Sequence, residues 1–276
     1  TLPASASNGD TIIFADYART WGTNGIILDS NGLNYQGDPD TFDVEYTTDG
    51  QSVHIVYSGA TKGWIPISDD DVADVPAKTN DNGIFAYGNS GSLTAVSNIV
   101  SSAGVVAADV TGVGTAREAL AACEYGDDKG IFGYGDTGSV SSLSNLVSSS
   151  GVIATDVTGV GSARKFLAAA DYGGDKAIFA YGDTGSVSSL SNLVSNSGVI
   201  ATDVTGVGTA RSYLAACSYG GDKGIFSYGW ISGNVNNTNL VSNTGVVATD
   251  VTGVGTARSK LAACEYGTDK GIFGYG

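Results

Sequence analysis

The chain has 276 residues, a formal net charge of −15 and 42% hydrophobic residues. This apolar content is sufficient for a packed core, whereas the negative charge disfavours binding to phosphate backbones and to anionic membranes. No apolar run approaches the length needed to span a bilayer, so we expect neither nucleic-acid binding nor membrane insertion. Only 15% of the residues are charged and 41 are glycine, a composition that indicates an extracellular or virion β-protein.

Residues 1–67 do not repeat and predict a small N-terminal β-module. The turn dipeptides Asn24-Gly25 and Asn31-Gly32 separate short strands. Residues 42–57 alternate apolar and polar side chains on both sides of Asp49-Gly50, which predicts a β-hairpin. Residues 68–80, with three consecutive aspartates, predict an acidic linker whose charges are solvated.

Residues 81–276 consist of near-copies of one segment with a period of 47 residues. A period of this size indicates units that bury their apolar faces by stacking on one another. Each unit contains four short strands, written LAACEYG, KGIFGYG, SLSNLV and GVIATDV, although the alanine content of ARKFLAAADYG also permits a helix. Four strands in each unit predict an all-β, β-propeller-like array. The alternative is an open stack of β-repeats that neighbouring chains complete.

The sequence does not predict an enzyme. We expect no catalytic residue, no metal site and no cofactor, because the titratable residues of the repeats recur in sets, whereas an active site is usually unique. The sole histidine, His54, lies in the predicted hairpin with no nucleophile marked beside it. Cys123, Cys217 and Cys264 share their position with Ala170, which indicates a small apolar side chain. The GVGTAR segment lacks the third glycine of a dinucleotide-binding loop and recurs, which favours a structural turn.

An Asp and an Arg recur in every unit, with the Asp eight residues before the Arg. We expect hydrogen-bonded Asp–Arg contacts between strands or units. The residues concerned are Asp109, Arg117, Asp156, Arg164, Asp203, Arg211, Asp250 and Arg258. With GYG in the place of a Gly pair, this pattern resembles a Kelch-type blade. The resemblance implies a propeller fold for about 195 residues.

The aromatic residues are the candidates for ligand contact. Tyr134, Tyr181 and Tyr228 recur at the same position and offer rings with a hydroxyl group, which suit sugars or protein partners. Packing between units is the alternative. Trp230 interrupts the repeat, because it replaces the aspartate found at Asp136 and Asp183, and a tryptophan in a variable loop is typical of a contact residue.

The overall layout resembles virion proteins of tailed phages that infect aquatic bacteria. Such proteins carry an N-terminal module written like NGDTIIFADYARTWGTNGIILDSNGLNYQG and GQSVHIVYSGATKGWIPI, followed by Gly- and Ser-rich repeats. The resemblance implies a non-enzymatic fibre, whisker or decoration subunit, often homotrimeric, with residues 1–67 used for docking or trimerisation.

A virion subunit of this kind would bind other virion proteins and a host-surface glycan. Two functions of other classes remain open from the sequence. One is a secreted or surface glycan-binding β-propeller, and the other is a polysaccharide-degrading enzyme.

Overall fold

The computed structural model of the protein describes residues 1–39, 43–68, 73–75, 82–267 and 269–276. The chain divides into two compact units, Thr1–Thr79 and Asn80–Gly276. Every regular element within the described residues is a β-strand, which confirms the all-β prediction. The helical alternative for the ARKFLAAADYG segment is wrong, because Ala168–Tyr172 within it forms a strand. Most of the predicted acidic linker lies outside the described residues, but Ala73–Val75 forms a strand.

The first unit contains two three-stranded sheets. Its strands in chain order are β1 (Thr11–Ala15), β2 (Ile26–Leu28), β3 (Asp43–Tyr46), β4 (Ser52–Tyr57), β5 (Trp64–Ser68) and β6 (Ala73–Val75). One sheet has the order β1-β4-β5 and the other has the order β2-β3-β6. Both contribute to one hydrophobic core, which includes Tyr46 from β3, Ile55 from β4 and Trp64 from β5.

The predicted hairpin across Asp49-Gly50 is wrong, although its two strands exist. Strand β3 pairs with β2 and β6, whereas β4 pairs with β1 and β5. Alternate residues of both strands, including Val44 and Val53, are buried in the shared core. Alternation reports only which face of a strand is buried, so strands of two different sheets that enclose one core show the same pattern as a hairpin.

The second unit is a series of small antiparallel sheets. Its strands are β7 (Gly83–Asn89), β8 (Leu93–Val100), β9 (Ala121–Tyr125), β10 (Lys129–Gly133), β11 (Ser144–Val147), β12 (Ala168–Tyr172), β13 (Lys176–Ala180), β14 (Ser191–Val194), β15 (Ala215–Tyr219), β16 (Lys223–Trp230), β17 (Asn234–Val241), β18 (Ala262–Tyr266) and β19 (Lys270–Gly274). They form the sheets β7-β8, β9-β10-β11, β12-β13-β14, β15-β16-β17 and β18-β19.

These sheets follow the 47-residue period, so the unit is described by copies. Residues 116–162 are copy 1, residues 163–209 are copy 2 and residues 210–256 are copy 3. Residues 82–115 form a leading partial copy and residues 257–276 a trailing one. Each full copy contributes three of the four predicted strands, and the fourth segment touches the third strand only at isolated bridges such as Val147–Ile153.

Successive sheets stack through their first strands and through backbone hydrogen bonds. Strand β9 contacts β12, β12 contacts β15 and β15 contacts β18. At one end of these strands the Gly126 amide donates to the Asp175 carbonyl at 2.7 Å, and the same bond recurs one period later, from Gly173 to Asp222. Backbone hydrogen bonds as well as side chains therefore hold the stack together. Because these bonds join equivalent positions, neighbouring copies must have closely similar backbone conformations.

A buried arginine joins each three-stranded sheet of the second unit to the sheet before it. The side chain of Arg164 is fully buried, and its guanidinium lies 4.2 Å from the ring centroid of Tyr134 in the preceding copy. The same group donates to Asn192 Oδ1 at 2.6 Å and lies 3.9 Å from Asp203 Oδ1. Burial lowers the pKa of Arg164, but an arginine remains charged at neutral pH. Its stacking and hydrogen bonds offset the cost of burying that charge.

We expect Arg164→Ala to destabilise the second unit by about 3–5 kcal/mol, because it leaves a cavity and removes the donor from the buried Asn192. Arg258→Ala is the matched control. Arg258 is only half-buried, and its guanidinium lies 4.7 Å from the ring centroid of Tyr228. Urea unfolding followed by circular dichroism would measure both variants, and equal losses would contradict the inter-sheet role of the buried arginine.

Candidate functional site

The repeated aspartates bind the turn of the preceding copy. Asp203 accepts hydrogen bonds from the Ser162 amide at 3.1 and 3.0 Å, from Ser162 Oγ at 2.7 Å and from Asn192 Nδ2 at 3.0 Å. Burial by itself would raise the pKa of Asp203, but these hydrogen bonds outweigh it and the net effect is a lowered pKa. The carboxylate is thereby fully occupied within the repeat.

The GVG segments form structural turns, as the repetition indicated. A Cβ atom at Gly159 would clash with Ser142, and one at Gly161 would clash with the Asp203 carboxylate. Gly161 also has a φ of +77°, which favours glycine. The turn requires glycine so that its amides can approach the carboxylate of the next copy, and a phosphate is not needed to explain the motif.

The Asp–Arg contacts do not join each Arg to the Asp eight residues before it. Arg117 lies 3.9 Å from Asp156 and Arg164 lies 3.9 Å from Asp203, so each Arg is close to the Asp that follows it by 39 residues. Asp109, which precedes Arg117 by eight residues, accepts from Asn98 instead. In copy 3, Asp250 accepts from Thr209 and Asn239, while Arg211 donates to backbone carbonyl groups.

The binding role predicted for Tyr134 and Tyr181 is incompatible with their positions. Both side chains are fully buried, and each packs against a phenylalanine of the next copy, as Tyr134 does on Phe179 with ring centroids 5.3 Å apart. Their hydroxyl groups donate to backbone carbonyls, that of Tyr134 to Val160 at 3.2 Å. Tyr228 is half-buried beneath Arg258. These tyrosines pack between units, which was the alternative interpretation.

Trp230 is exposed, unlike the other two tryptophans. It retains 41% exposure, whereas Trp21 and Trp64 are buried at 8% and 1%. It lies at the end of β16, opposite Asn234 of β17 in the antiparallel register. These two strands have eight residues each, compared with five and four in β10 and β11. The extended hairpin presents the indole at one end of copy 3.

Beside this hairpin runs a row of four residues that differ strongly between copies. Ala119, Phe166, Tyr213 and Lys260 occupy equivalent positions and all have φ values between 53° and 59°. We call them the left-handed row. The amides of Phe166, Tyr213 and Lys260 each donate to the carbonyl of the preceding member at 2.9 Å. Left-handed φ values are uncommon in residues other than glycine. Tyr134, Tyr181 and Tyr228 also have φ values of 64–65°, so this conformation is a regular feature of the repeat.

Two members of the row stack on each other. The rings of Phe166 and Tyr213 have centroids 4.0 Å apart and an interplanar angle of 24°. Lys165 Nζ lies 5.3 Å from the Phe166 ring, and Lys260 Nζ lies 5.1 Å from the Tyr213 ring. The row therefore forms a half-exposed column of cations and aromatic rings along one edge of the sheets.

The residues before the row connect it to the hairpins. Ser212 and Trp230 exchange backbone hydrogen bonds at 3.0 and 2.7 Å, as Glu118 and Asp136 do in copy 1. Lys165 of copy 2 also forms an ion pair with Asp136 of copy 1 at 2.5 Å. This hydrogen bond raises the pKa of Lys165 and lowers that of Asp136. We call the row, the residues before it and the hairpin ends the variable edge.

The variable edge was not found from the sequence, apart from Trp230. A signal was present, because residue 119 and its equivalents read Ala, Phe, Tyr and Lys between segments that hardly change. The chemistry that the edge offers is stacking and hydrogen bonding.

Burial raises the pKa of Cys217 to about 11, so this thiol stays protonated and packs as a small apolar group.

The described residues contain no group of three or more His, Cys, Asp or Glu side chains placed to hold a metal ion. In the same part of the chain, no helix has the length and apolar character required to cross a membrane.

The comparisons with known proteins give a fold and no family. No protein-family model matches the chain, and no curated protein matches it. Among solved structures, it is similar to YjhT, a β-propeller-like fold, with a TM-score of 0.50 and 10% sequence identity. The match covers 83% of this chain and 85% of that chain. At this identity the likeness concerns the fold alone.

The lowered pKa of Asp203 predicts a dependence of stability on pH. Because the folded-state pKa lies below the usual value of 3.8, the carboxylate stabilises the fold above about pH 4, and this contribution is lost as the pH falls through the folded-state pKa. We expect Asp203→Asn to lower the melting temperature at pH 7, with a difference from wild type that shrinks below about pH 4. Asp127→Asn, at an exposed turn, is the control. A deficit that stays constant with pH would contradict the prediction.

Proposed function

We propose that the protein is a non-enzymatic structural protein of a phage particle, used for assembly and host-surface adhesion as a fibre, whisker or decoration subunit. The non-enzymatic part of the proposal is supported by the different roles of the recurring and the variable side chains within the repeats. The recurring charged and aromatic side chains, such as Arg164, Asp203 and Tyr134, hold the copies together. The largest changes between copies occur at the variable edge, where side chains are accessible to a partner.

The assignment to a virion is supported by the sequence resemblance of residues 1–67 and of the Gly- and Ser-rich repeats that follow. In this proposal the first unit docks on other virion proteins or forms a homotrimer. The second unit is displayed outward and contacts a glycan on the host surface. A rigid array of stacked sheets suits such a display, because the hydrogen bonds between copies resist bending.

We further propose that the second unit curves as a propeller does. The four first strands β9, β12, β15 and β18 contact one another in sequence. Glu124 and Glu265 occupy equivalent positions three periods apart, and an extended stack would separate them widely. Desolvation raises the pKa of Glu124, and the charges of Asp171 and Glu265 raise it further. An influence of Glu265 on Glu124 supports curvature that returns the trailing copy toward copy 1.

The second candidate is a secreted or surface glycan-binding β-propeller. The exposed indole of Trp230 favours it, since an aromatic face binds sugars whether or not the protein belongs to a particle. A polysaccharide-degrading enzyme is a more remote candidate. It requires two carboxyl groups at a set separation, whereas the repeated aspartates are hydrogen-bonded within turns.

We expect antibodies raised against the recombinant protein to label phage particles purified from the source culture, with regular spacing in electron micrographs. We also expect the purified protein to be a stable oligomer in light scattering. Labelling that is confined to soluble culture fractions, together with release of no reducing sugar from polysaccharides, would favour the secreted glycan-binding protein instead.

We expect Glu124→Gln to stabilise the second unit at pH 7, because the wild-type carboxylate is charged there against neighbouring negative charges. Glu265→Gln should remove part of the same repulsion. The double variant should therefore gain less than the sum of the single gains, and the difference should shrink in high salt. Strict additivity in urea unfolding would contradict the curved arrangement and favour an open stack.

A further inference from the structure

The extended hairpin of copy 3 differs from its counterparts in chemical character. Residues 230–239 read WISGNVNNTN, whereas residues 136–145 and 183–192 both read DTGSVSSLSN. The exchange removes the aspartate and leaves a segment with no charged side chain, in a chain whose net charge is −15. It adds an indole and amide side chains. Residues 89–98 of the leading partial copy, NSGSLTAVSN, are also uncharged and also lie in an extended hairpin, but only copy 3 adds an indole. The indole therefore indicates a local role, since packing between copies is satisfied without it.

The hairpin brings an aromatic face and an amide side by side. Trp230 and Asn234 are opposite each other in the antiparallel register and both are exposed. Side chains of opposed residues lie on the same face of a sheet, with Cβ atoms about 4.5–5.5 Å apart. A planar apolar surface next to an uncharged hydrogen-bonding group matches a sugar ring, which has an apolar face of C–H groups and a rim of hydroxyls.

The surroundings leave this pair open. In copy 1, Asp136 is covered by its ion pair with Lys165 of the next copy. One period later the residue equivalent to Lys165 is Ser212, and two periods later it is Ser259, which is too small to cover the indole. Ser212 itself is buried at 2% directly across the backbone from Trp230. The indole therefore keeps 41% of its surface exposed.

We propose that Trp230 and Asn234 form a binding site for a neutral, hexose-containing glycan, with the indole as the stacking surface and the amide as hydrogen-bonding partner. The absence of charge within the segment, against the negative charge of the whole chain, argues for neutral sugars over acidic ones. This inference deepens the proposed adhesion function and rests on it for the biological role, but the site itself is testable on the isolated protein.

The repeat supplies a matched control for the site. Replacing residues 230–239 by DTGSVSSLSN introduces a segment that copies 1 and 2 already fold. The new aspartate at position 230 would have Ser259 as its neighbour in the next copy, just as Asp183 has Ser212. This variant should fold with a melting temperature close to that of the wild type, because copies 1 and 2 already fold this segment. The converse variant replaces residues 183–192 by WISGNVNNTN, where the facing residue is again a serine.

The binding test uses a panel of neutral gluco-, galacto- and manno-oligosaccharides, with polygalacturonate and heparin as acidic comparisons. Sugar binding should change the tryptophan emission of the wild type, and the signal would come from Trp230 because Trp21 and Trp64 are buried. We expect Trp230→Ala and the copy 3 exchange to weaken binding at least about tenfold, and Asn234→Ala to weaken it less. The converse variant should raise the stoichiometry from one site to two.

Three outcomes would overturn the site: no neutral oligosaccharide bound by the wild type, binding of acidic polymers alone, or affinity unchanged in the copy 3 exchange. The particle experiment has a separate result. Antibody labelling of phage particles without glycan binding would leave the virion proposal standing and refute the site, whereas glycan binding without labelling would do the reverse.

Discussion

A charged guanidinium buried between two sheets, lying over a tyrosine ring, is the interaction on which the repeated half of the protein depends. Burial removes solvation from Arg117, Arg164 and Arg211, so each needs compensating partners in a fixed place. The ring comes from the preceding copy. Arg117 and Arg164 also contact carbonyls, an asparagine and a nearby aspartate, whereas Arg211 donates to backbone carbonyls. Loss of a partner weakens the compensation of a buried charge, which is one reason why most of the 47-residue sequence recurs.

The same requirement decides which residues are free to bind something else. Tyr134, Tyr181 and the aspartates of the GVG turns are ordinary candidates for binding or catalysis by residue type, but the fold uses them within the array. Side chains at the edge of the sheets are less constrained, because their links between copies are made mainly by backbone groups. The left-handed row and the copy 3 hairpin accept Ala, Phe, Tyr, Lys, Asp and Trp at equivalent positions, and this freedom makes the variable edge the place where a partner can be selected.

The predictions succeeded where a pattern maps directly onto local structure. Short β-branched segments between glycines became strands, and the recurring GVG became a turn. The predictions failed where one sequence pattern is compatible with two different tertiary arrangements. Residues 42–57 alternate as a hairpin would, yet β3 and β4 belong to different sheets because a common core buries the same alternate residues. Tyr134 and Tyr181 have a residue type suited to binding, and only packing against the next copy shows that their rings are inaccessible. The left-handed row was missed because φ values are not visible in residue types other than glycine.

The amino-acid sequence alone determined the class of fold, the period, the strand-forming segments and the exceptional status of Trp230, since each follows from local propensity or from comparison of one copy with another. The tertiary structure decided the partner of each arginine, the burial of the repeated tyrosines and the alignment of Phe166 with Tyr213. Those features depend on contacts between residues up to 47 positions apart, and the sequence does not specify which of several equivalent copies will meet. Stacking of the sheets fixes that choice, because it places the buried charges and the backbone hydrogen-bonding groups of one copy against their partners in the next.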